Sequence, residues 1–200
     1  MSTRFVLVRH ATCAQIDSTL LGRAIDAPLD AHGRAQALAL AARLRKLDPV
    51  LVEASPRLRT LETAQPIAHA VRCELRVSSA LDELDFGRWA GQTFASLDAD
   101  PAWQRWNAVR GSARTPAGET IAAVQVRVLR RIGELARAYD GGSTIVLVTH
   151  AEVIRAVLLH LRAMPADKFH RIEVGPASTT FVRATASGLR VDTADERVAA

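Results

Sequence analysis

Residues 5–10 decide the fold class, because they join an apolar run to two basic side chains: Phe5-Val6-Leu7-Val8-Arg9-His10. A second stretch repeats the pattern later in the chain: Ile145-Val146-Leu147-Val148-Thr149-His150. Short continuous apolar runs that end at a polar residue are typical of buried parallel strands. The ligands of such sheets gather beyond the carboxyl ends of the strands. We therefore expect His10 and His150 to converge on one site, although they lie far apart in the sequence.

Helix and strand patterns alternate along the rest of the chain. Apolar residues at helical spacing predict helices over residues 30–47, 57–70, 118–139 and 152–161. Further strands are expected at residues 50–52 and, as a pair around Ser187-Gly188, at residues 179–184 and 189–191. This alternation indicates an α/β fold, a three-layer α/β/α arrangement with a mostly parallel central sheet. Because no repeat, linker or low-complexity segment interrupts it, we expect a single domain over residues 1–200.

The composition narrows the class of protein further. The chain has 200 residues, of which 48% are hydrophobic, and this suits a globular core. No apolar run approaches the roughly 18 residues that a membrane span needs. The four-residue apolar run before Arg9 is too short for the core of a signal peptide. We therefore expect a cytoplasmic protein with no membrane partner.

The charged residues and the cysteines argue against several function classes. The net charge of +5 comes mostly from arginine, since Lys46 and Lys168 are the only lysines. These arginines are scattered and form no basic run, so we expect no nucleic-acid partner. Two cysteines, Cys13 and Cys73, make neither a disulfide framework nor a zinc cluster. The His, Cys, Asp and Glu residues show no metal-ligand spacing, so we expect neither a metal nor a cofactor.

Four segments in a fixed order resemble a known family. Between the two strand-then-histidine segments lie Ser55-Pro56-Arg57-Leu58-Arg59-Thr60-Leu61-Glu62-Thr63-Ala64 and Leu81-Asp82-Glu83-Leu84. Together the four segments resemble the histidine phosphatase (phosphoglycerate mutase-like) superfamily. Residues 20–37 and 116–120 also fit this family's first loop and helix and its entry into a long helix. The resemblance extends from residue 5 to about residue 155.

The resemblance implies roles for five side chains. His10 corresponds to the histidine that becomes phosphorylated, and neutral imidazole suits this role because its pKa lies near neutrality. Arg9 and Arg59 correspond to the arginines that bind the phosphoryl group, for which a planar, permanently charged guanidinium is suited. His150 corresponds to the second histidine, which donates a hydrogen bond to the transferring group. Glu83 corresponds to the acid that protonates the leaving oxygen and then activates water.

Neighbouring residues offer alternatives to two of these assignments. Arg57 lies on the same helical turn as Arg59, and Asp82 and Asp85 lie beside Glu83. The family pattern places the second arginine after a Ser-Pro pair at the position of Arg59. Its Leu-x-Glu pattern points to Glu83.

The segment after His10 departs from the family pattern, which usually continues with Gly-Glu-Thr and has an Asn a few residues later. Here Ala11-Thr12-Cys13 follow, and Ile16 stands where that Asn would fall. We expect Thr12 or Gln15 to replace the missing hydrogen-bond donor. Gly22, in the first loop, is a further expected substrate-binding residue. These departures concern the choice of substrate more than the core chemistry.

The segment from residue 89 to about residue 115 bears on the choice between mutase and phosphatase. It is short for the insertion that a mutase uses, but it contains side chains that would suit a cap over the substrate: Trp103, Arg105, Trp106, Arg110 and Arg114. The alternative, which we favour, is that both tryptophans pack a helix onto the core. By length and layout the chain resembles the small phosphatases, including the α-ribazole phosphatase branch.

We therefore expect a metal-independent phosphomonoesterase that hydrolyses a small phosphorylated metabolite through a phosphohistidine at His10. The alternatives are a phosphoglycerate mutase and a non-catalytic protein that binds a phosphorylated ligand. The sequence leaves the physiological substrate open. It also leaves the oligomeric state open, a homodimer included.

Overall fold

A computed structural model describes residues 2–139 and 141–196 of the chain. Six strands form one sheet: β1 (Arg4–Arg9), β2 (Leu51–Ala54), β3 (Leu75–Val77), β4 (Thr144–Thr149), β5 (Thr179–Thr185) and β6 (Gly188–Glu196). Their order across the sheet is β3-β2-β4-β1-β5-β6. The first four of these are parallel neighbours, and β5 and β6 continue the sheet in antiparallel orientation. The expected mostly parallel central sheet is confirmed.

The register of the two central strands decides where the site lies. Strands β1 and β4 pair in parallel, with Phe5 opposite Ile145 and Arg9 opposite Thr149. Each strand is followed directly by a histidine, and the His10 amide donates a hydrogen bond to the Thr149 carbonyl at 2.9 Å. The rings of His10 and the histidine after β4 consequently lie with their centroids 5.3 Å apart.

Helices cover both faces of the sheet: α1 (Ala31–Leu44), α2 (Leu58–Val71), α3 (Phe94–Asp98), α4 (Pro101–Ala108), α5 (Ile121–Ala138) and α6 (Ala151–Leu161). Successive side chains of a strand point to opposite faces. Phe5 and Leu7 therefore pack in one core cluster with α5 and α6, whereas Val6 and Val8 pack in a second cluster with α1 and α2. The three-layer α/β/α arrangement is confirmed.

The helix boundaries follow from side-chain caps. Helix α1 begins directly after Asp30, whose carboxylate accepts a hydrogen bond from the Gly33 amide at 2.6 Å, as the sequence indicates. Helix α5 begins at residue 121, so its predicted start at residue 118 is wrong. Thr120 is its N-cap, and the Glu119 amide donates to the Asp85 carbonyl at 2.9 Å. Residues 118 and 119 therefore belong to a turn that binds the loop of the predicted acid.

Three short elements in the middle of the chain matter for the site. Strand β3 and helix α3 are not predicted by the sequence pattern, because each has five residues or fewer and too few apolar positions to show a period.

Helix α4 carries Trp103 and Trp106, whose buried rings stack with centroids 5.4 Å apart. They also contact the rings of Phe86 and Trp89. The expectation that both tryptophans pack a helix onto the core is confirmed.

Candidate active site

His10 presents one ring nitrogen to a cavity at the end of β1. Its Nδ1 lies 2.8 Å from the carbonyl oxygen of Ala11. Because a carbonyl only accepts hydrogen bonds, Nδ1 carries the proton and Nε2 keeps its lone pair. Burial, and then the nearby Arg59 and Arg9 guanidinium groups, hold the pKa of His10 well below its usual value. His10 is therefore a neutral imidazole with an unprotonated Nε2.

Arg9 precedes this histidine and lines the same cavity. Its Nη1 donates to the Val174 carbonyl at 2.7 Å, which fixes the side chain. Its Nε is buried and has no hydrogen-bond partner in the described part of the chain. A buried, unpartnered guanidinium N–H is a donor available to an anion.

Arg59 reaches the cavity from the first turn of α2 and is 1% exposed. Its Nη2 donates to the Gly22 carbonyl at 2.8 Å and lies 3.3 Å from Nδ1 of His150. Arg57, the alternative, points away and forms an ion pair with Asp82, with Nη2 3.1 Å from Oδ2. The structure thus brings Arg59, and not Arg57, to the cavity.

His150 is fully buried behind Arg59. Burial, and then the Arg59 charge, hold its pKa well below the usual value, so it is neutral without a ligand. Its Nε2 lies 2.7 Å from the hydroxyl of Ser55. Ser55 belongs to the Ser-Pro segment, but no sequence pattern predicts that its side chain contacts a histidine.

Glu83 provides a carboxyl group in the lining of the same cavity. Its Oε1 accepts a hydrogen bond from the Leu84 amide at 2.8 Å, and its Oε2 lies 3.7 Å from Nδ1 of His150. Burial raises the pKa of Glu83 to about 7, against the opposing effect of Arg59. Its side chain can therefore be protonated or ionised near neutral pH, as a general acid and base must be. Asp85 is engaged elsewhere, since its carboxylate accepts from the Gly87 amide at 2.9 Å.

Two arginines that sequence reasoning missed hold the backbone of this acid. Arg23 Nε and Arg127 Nη2 both donate to the Glu83 carbonyl, at 2.8 and 3.1 Å. Glu119 joins them, because its Oε2 accepts from Arg23 at 2.8 Å and from Arg127 at 3.1 Å. Glu119 also accepts from the Asp85 amide at 3.1 Å. This network joins the loop that carries Glu83, the acid loop, to α5. Of the network, only the Gly-Glu-Thr segment at residues 118–120 was recognised in the sequence.

The cavity has a volume of about 230 Å³ and two different walls. One wall is apolar and includes Ile16, Leu20, Phe86, Phe94 and Trp103. Ile16 thus lines the cavity where the family pattern has an Asn. Trp103 both packs in the core and faces the cavity, so the segment from residue 89 to about residue 115 also contributes to this wall. A volume below the usual 300–1,000 Å³ of ligand pockets favours a small ligand.

The opposite wall is charged and was not recognised from the sequence. Glu152, the second residue of α6, lies between Arg110 Nη1 and Arg155 Nη1, each 2.6 Å from one of its oxygens. Arg110 is 5% exposed and lies over the rings of Trp106 and Phe169. Arg110 and Arg155 together hold the pKa of Glu152 below its usual value, against the effect of burial. The wall therefore carries two cations and one carboxylate.

The two remaining predicted substrate-binding residues have different positions. Gly22 lines the cavity with φ +52°, and its carbonyl binds Arg59. Thr12 does not line the cavity. Its hydroxyl donates to Asp30 at 3.0 Å and its amide donates to Gln36 at 3.0 Å. Thr12 therefore attaches the loop after His10 to the start of α1.

Within residues 2–139 and 141–196, no group of three or more His, Cys, Asp or Glu side chains is placed to hold a metal ion. No helix in the same part of the chain is long and apolar enough to cross a bilayer.

A mostly parallel sheet brings one histidine, two arginines and a protonatable glutamate to one small cavity, with a second histidine buried beside them. This arrangement defines a class of proteins that handle phosphoryl groups. Comparisons with known proteins agree with this. The family model of the histidine phosphatase superfamily (branch 1) matches residues 5–196. The chain therefore belongs to the histidine phosphatase superfamily.

Individual relatives include both phosphatases and mutases. The chain is 29% identical to glucosyl-3-phosphoglycerate phosphatase of Mycobacterium tuberculosis, over 88% of its length and 83% of that protein. It is 31% identical to the probable phosphoglycerate mutase GpmB of Enterobacter sp. (strain 638), over 88% of its length and 82% of that protein. The native structure of mycobacterial glucosyl-3-phosphoglycerate phosphatase superimposes with a TM-score of 0.86 at 27% identity, and the match covers 98% of this chain and 99% of that one. Family and relatives support a phosphoric monoester hydrolase.

Proposed function

We propose that this protein hydrolyses a small phosphomonoester through a phosphohistidine on Nε2 of His10. The observation that carries the proposal is the contact between His10 Nδ1 and the Ala11 carbonyl, which leaves Nε2 unprotonated. Arg9 and Arg59 supply donors and positive charge for the phosphoryl oxygens. The second histidine, His150, supplies a further donor.

The reaction has two steps, and Glu83 serves in both. In the first, His10 Nε2 forms a bond to phosphorus, the bond to the leaving oxygen breaks, and Glu83 gives that oxygen its proton. In the second, the Glu83 carboxylate takes a proton from water, the water oxygen attacks phosphorus, and the bond to His10 breaks. Inorganic phosphate leaves, and Glu83 is protonated again. Its pKa of about 7 suits both directions of proton transfer.

The walls of the cavity support a substrate with a second anionic group. Four guanidinium groups line it, those of Arg9, Arg59, Arg110 and Arg155, against the carboxyl groups of two glutamates. When Glu83 is protonated and a phosphoryl dianion is bound, one positive charge remains unbalanced among these lining groups. A carboxylate on a short carbon skeleton would balance it within about 230 Å³. Relatives named for phosphoglycerate and its glucosyl derivative carry such a group in their substrates.

Phosphoryl transfer within a phosphoglycerate is the second candidate function. The chain is about as similar to a probable phosphoglycerate mutase as it is to the glucosyl-3-phosphoglycerate phosphatase. A mutase returns the phosphoryl group to the substrate, whereas a phosphatase passes it to water. An assay with 3-phosphoglycerate as the sole substrate distinguishes the two activities. A phosphatase releases inorganic phosphate from it, whereas a mutase converts it to 2-phosphoglycerate without releasing phosphate.

The test is phosphate release from a panel of phosphomonoesters in the presence of a chelator. The panel contains p-nitrophenyl phosphate, glycerol 3-phosphate, phosphoglycolate, 3-phosphoglycerate and phosphoserine. We expect release by the wild type, none by His10→Ala, and unchanged release by His69→Ala, an exposed histidine on α2 that serves as the matched control. Acid-labile phosphate bound to the wild type and absent from His10→Ala would support the intermediate. Release that persists in His10→Ala would refute the proposed nucleophile.

A further inference from the structure

A buried chain of hydrogen bonds connects His150 to a carboxylate that the proposed reaction does not use. His150 Nε2 lies 2.7 Å from Ser55 Oγ, and Ser55 Oγ lies 3.3 Å from Asp82 Oδ1. Ser55 and His150 have no exposed surface, and Asp82 is 5% exposed. Asp82 directly precedes Glu83, so this chain runs from the second histidine back to the acid loop.

The donors and acceptors of this chain can be assigned from the groups at its ends. A guanidinium only donates, so the contact between Arg59 Nη2 and His150 Nδ1 leaves Nδ1 without a proton. His150 therefore carries its proton on Nε2 and donates to Ser55. Ser55 in turn donates to Asp82, because an ionised carboxylate only accepts.

Asp82 is held in its acceptor role by two other donors. The Glu83 amide donates to Oδ1 at 2.8 Å, and Arg57 Nη2 donates to Oδ2 at 3.1 Å. This ion pair keeps the carboxylate in place beneath Ser55. The hydroxyl proton of Ser55 consequently stays on the side of Asp82, and the lone pair of Ser55 stays on the side of His150.

A bound phosphoryl group requires a particular protonation state of Nδ1, the other ring nitrogen of His150. Phosphoryl oxygens of a dianion only accept, so His150 must have a proton on Nδ1 to bind one. We propose that Asp82 and Ser55 are positioning residues that commit Nε2 of His150 to donating, so that His150 meets a phosphoryl dianion as an imidazolium. This inference rests on the proposed phosphoryl site, and it adds a defined protonation change upon binding.

The charges around His150 agree with such a change. Without a ligand, the cations that lower its pKa are those of Arg59, Arg127 and Arg57, and His10 acts in the same direction. Among the described residues, the carboxyl group that lies within 4 Å of this ring is that of Glu83, whose Oε2 is 3.7 Å from Nδ1. A phosphoryl dianion placed between the two histidines reverses the local field and favours the imidazolium. The proton enters from solvent with the ligand.

The first test reads the protonation of His150 by nitrogen-15 NMR of the labelled full-length chain, with the signals assigned through His150→Gln. We expect a proton on Nε2 alone in the free protein. With saturating inorganic phosphate near pH 8, we expect protons on both nitrogens. A free protein that carries the proton on Nδ1, or a phosphate complex in which His150 stays neutral, would overturn the inference.

The second test compares variants in the same spectra and in turnover. In Asp82→Asn the charge that holds the Ser55 proton is gone, so Ser55 can donate to Nε2 and His150 should bind phosphate as a neutral Nδ1–H donor. In Ser55→Ala, kcat should fall about 10- to 100-fold, because Nε2–H loses its buried acceptor. The control is Asp85→Asn, a carboxylate in the same loop without contact to Ser55, which should change kcat less than about twofold.

These outcomes separate the inference from the proposed function. If phosphate changes no histidine signal of the wild type, the phosphoryl site itself is wrong, whereas the free-protein spectrum still decides the direction of the hydrogen-bond chain. If Asp82→Asn keeps the imidazolium signature of the wild type in the phosphate complex, Asp82 is not a positioning residue. Dispersed spectra of each variant establish that it is folded.

Discussion

Replacing Glu83 by glutamine should remove activity and, at alkaline pH, stabilise the protein. The side chain of Glu83 is only 11% exposed, and burial raises its pKa from 4.5 to about 7. The folded state therefore favours the protonated carboxyl group more than the unfolded state does. Glutamine keeps an oxygen for the Leu84 amide but has no proton to lose, so it escapes the cost of ionisation in a buried site.

The size of the effect follows from the pKa shift. Each pKa unit corresponds to about 1.4 kcal/mol, so the complete shift destabilises the wild type by about 3 kcal/mol. This cost is absent below the unfolded pKa of 4.5, develops as the pH rises, and is complete above the folded pKa of about 7. At pH 5 the cost is about 1 kcal/mol. The stabilisation by Glu83→Gln should therefore increase by about 2 kcal/mol between pH 5 and pH 8.

The measurement is urea unfolding of the wild type and Glu83→Gln at both pH values. The difference between their free energies of unfolding at pH 8 is compared with the same difference at pH 5, so that effects common to both proteins cancel. Asp98→Asn, an exposed carboxyl-to-amide change, serves as the control. If the difference does not grow with pH, or if it shrinks, Glu83 is ionised in the folded protein and cannot be the general acid.

Four further outcomes can be checked. The kcat/KM of the wild type should fall about tenfold per pH unit above pH 7, in a pH–rate profile, as Glu83 loses its proton. Arg59→Lys should lower kcat/KM at least about 100-fold, because an ammonium cannot keep the bidentate geometry of the guanidinium. Arg131→Met should lower the free energy of unfolding by about 3 kcal/mol without changing KM, because it leaves the fully buried carboxylate of Glu53 unpaired. Thr12→Val should leave KM within about twofold, since Thr12 does not line the cavity, and a large rise in KM would restore it as a substrate-binding residue.

Much of the fold could be predicted from the sequence, because strands and helices with a regular apolar pattern are recognisable without tertiary information. The runs before His10 and His150 predicted the two central strands, and the later pair of strands was also found. Boundaries were less accurate where a turn competed with the helix pattern, as at Thr120. The short strand at residues 75–77 was not predicted from the sequence, because its pairing with β2 depends on the tertiary structure.

Several roles near the site could not be predicted because they depend on distances between remote residues. Glu152 is an ordinary helix residue in the sequence, and only folding places it between Arg110 and Arg155. Thr12 is adjacent to the histidine segment, yet its hydroxyl is used by Asp30. Adjacency in the chain does not determine which face of a loop a side chain occupies.

The sequence by itself determined the central strands, the family and the candidate site residues. Local periodicity places Arg9 and His10 at the end of one strand and His150 at the end of another, and the strands need no tertiary information to be recognised. The tertiary structure alone decided the protonation states. The parallel register of β1 and β4 brings the histidines together, and burial with Arg59 keeps both neutral. Burial also gives Glu83 a pKa near 7, because the cost of an ionised carboxyl group is set by the solvent and charges around it.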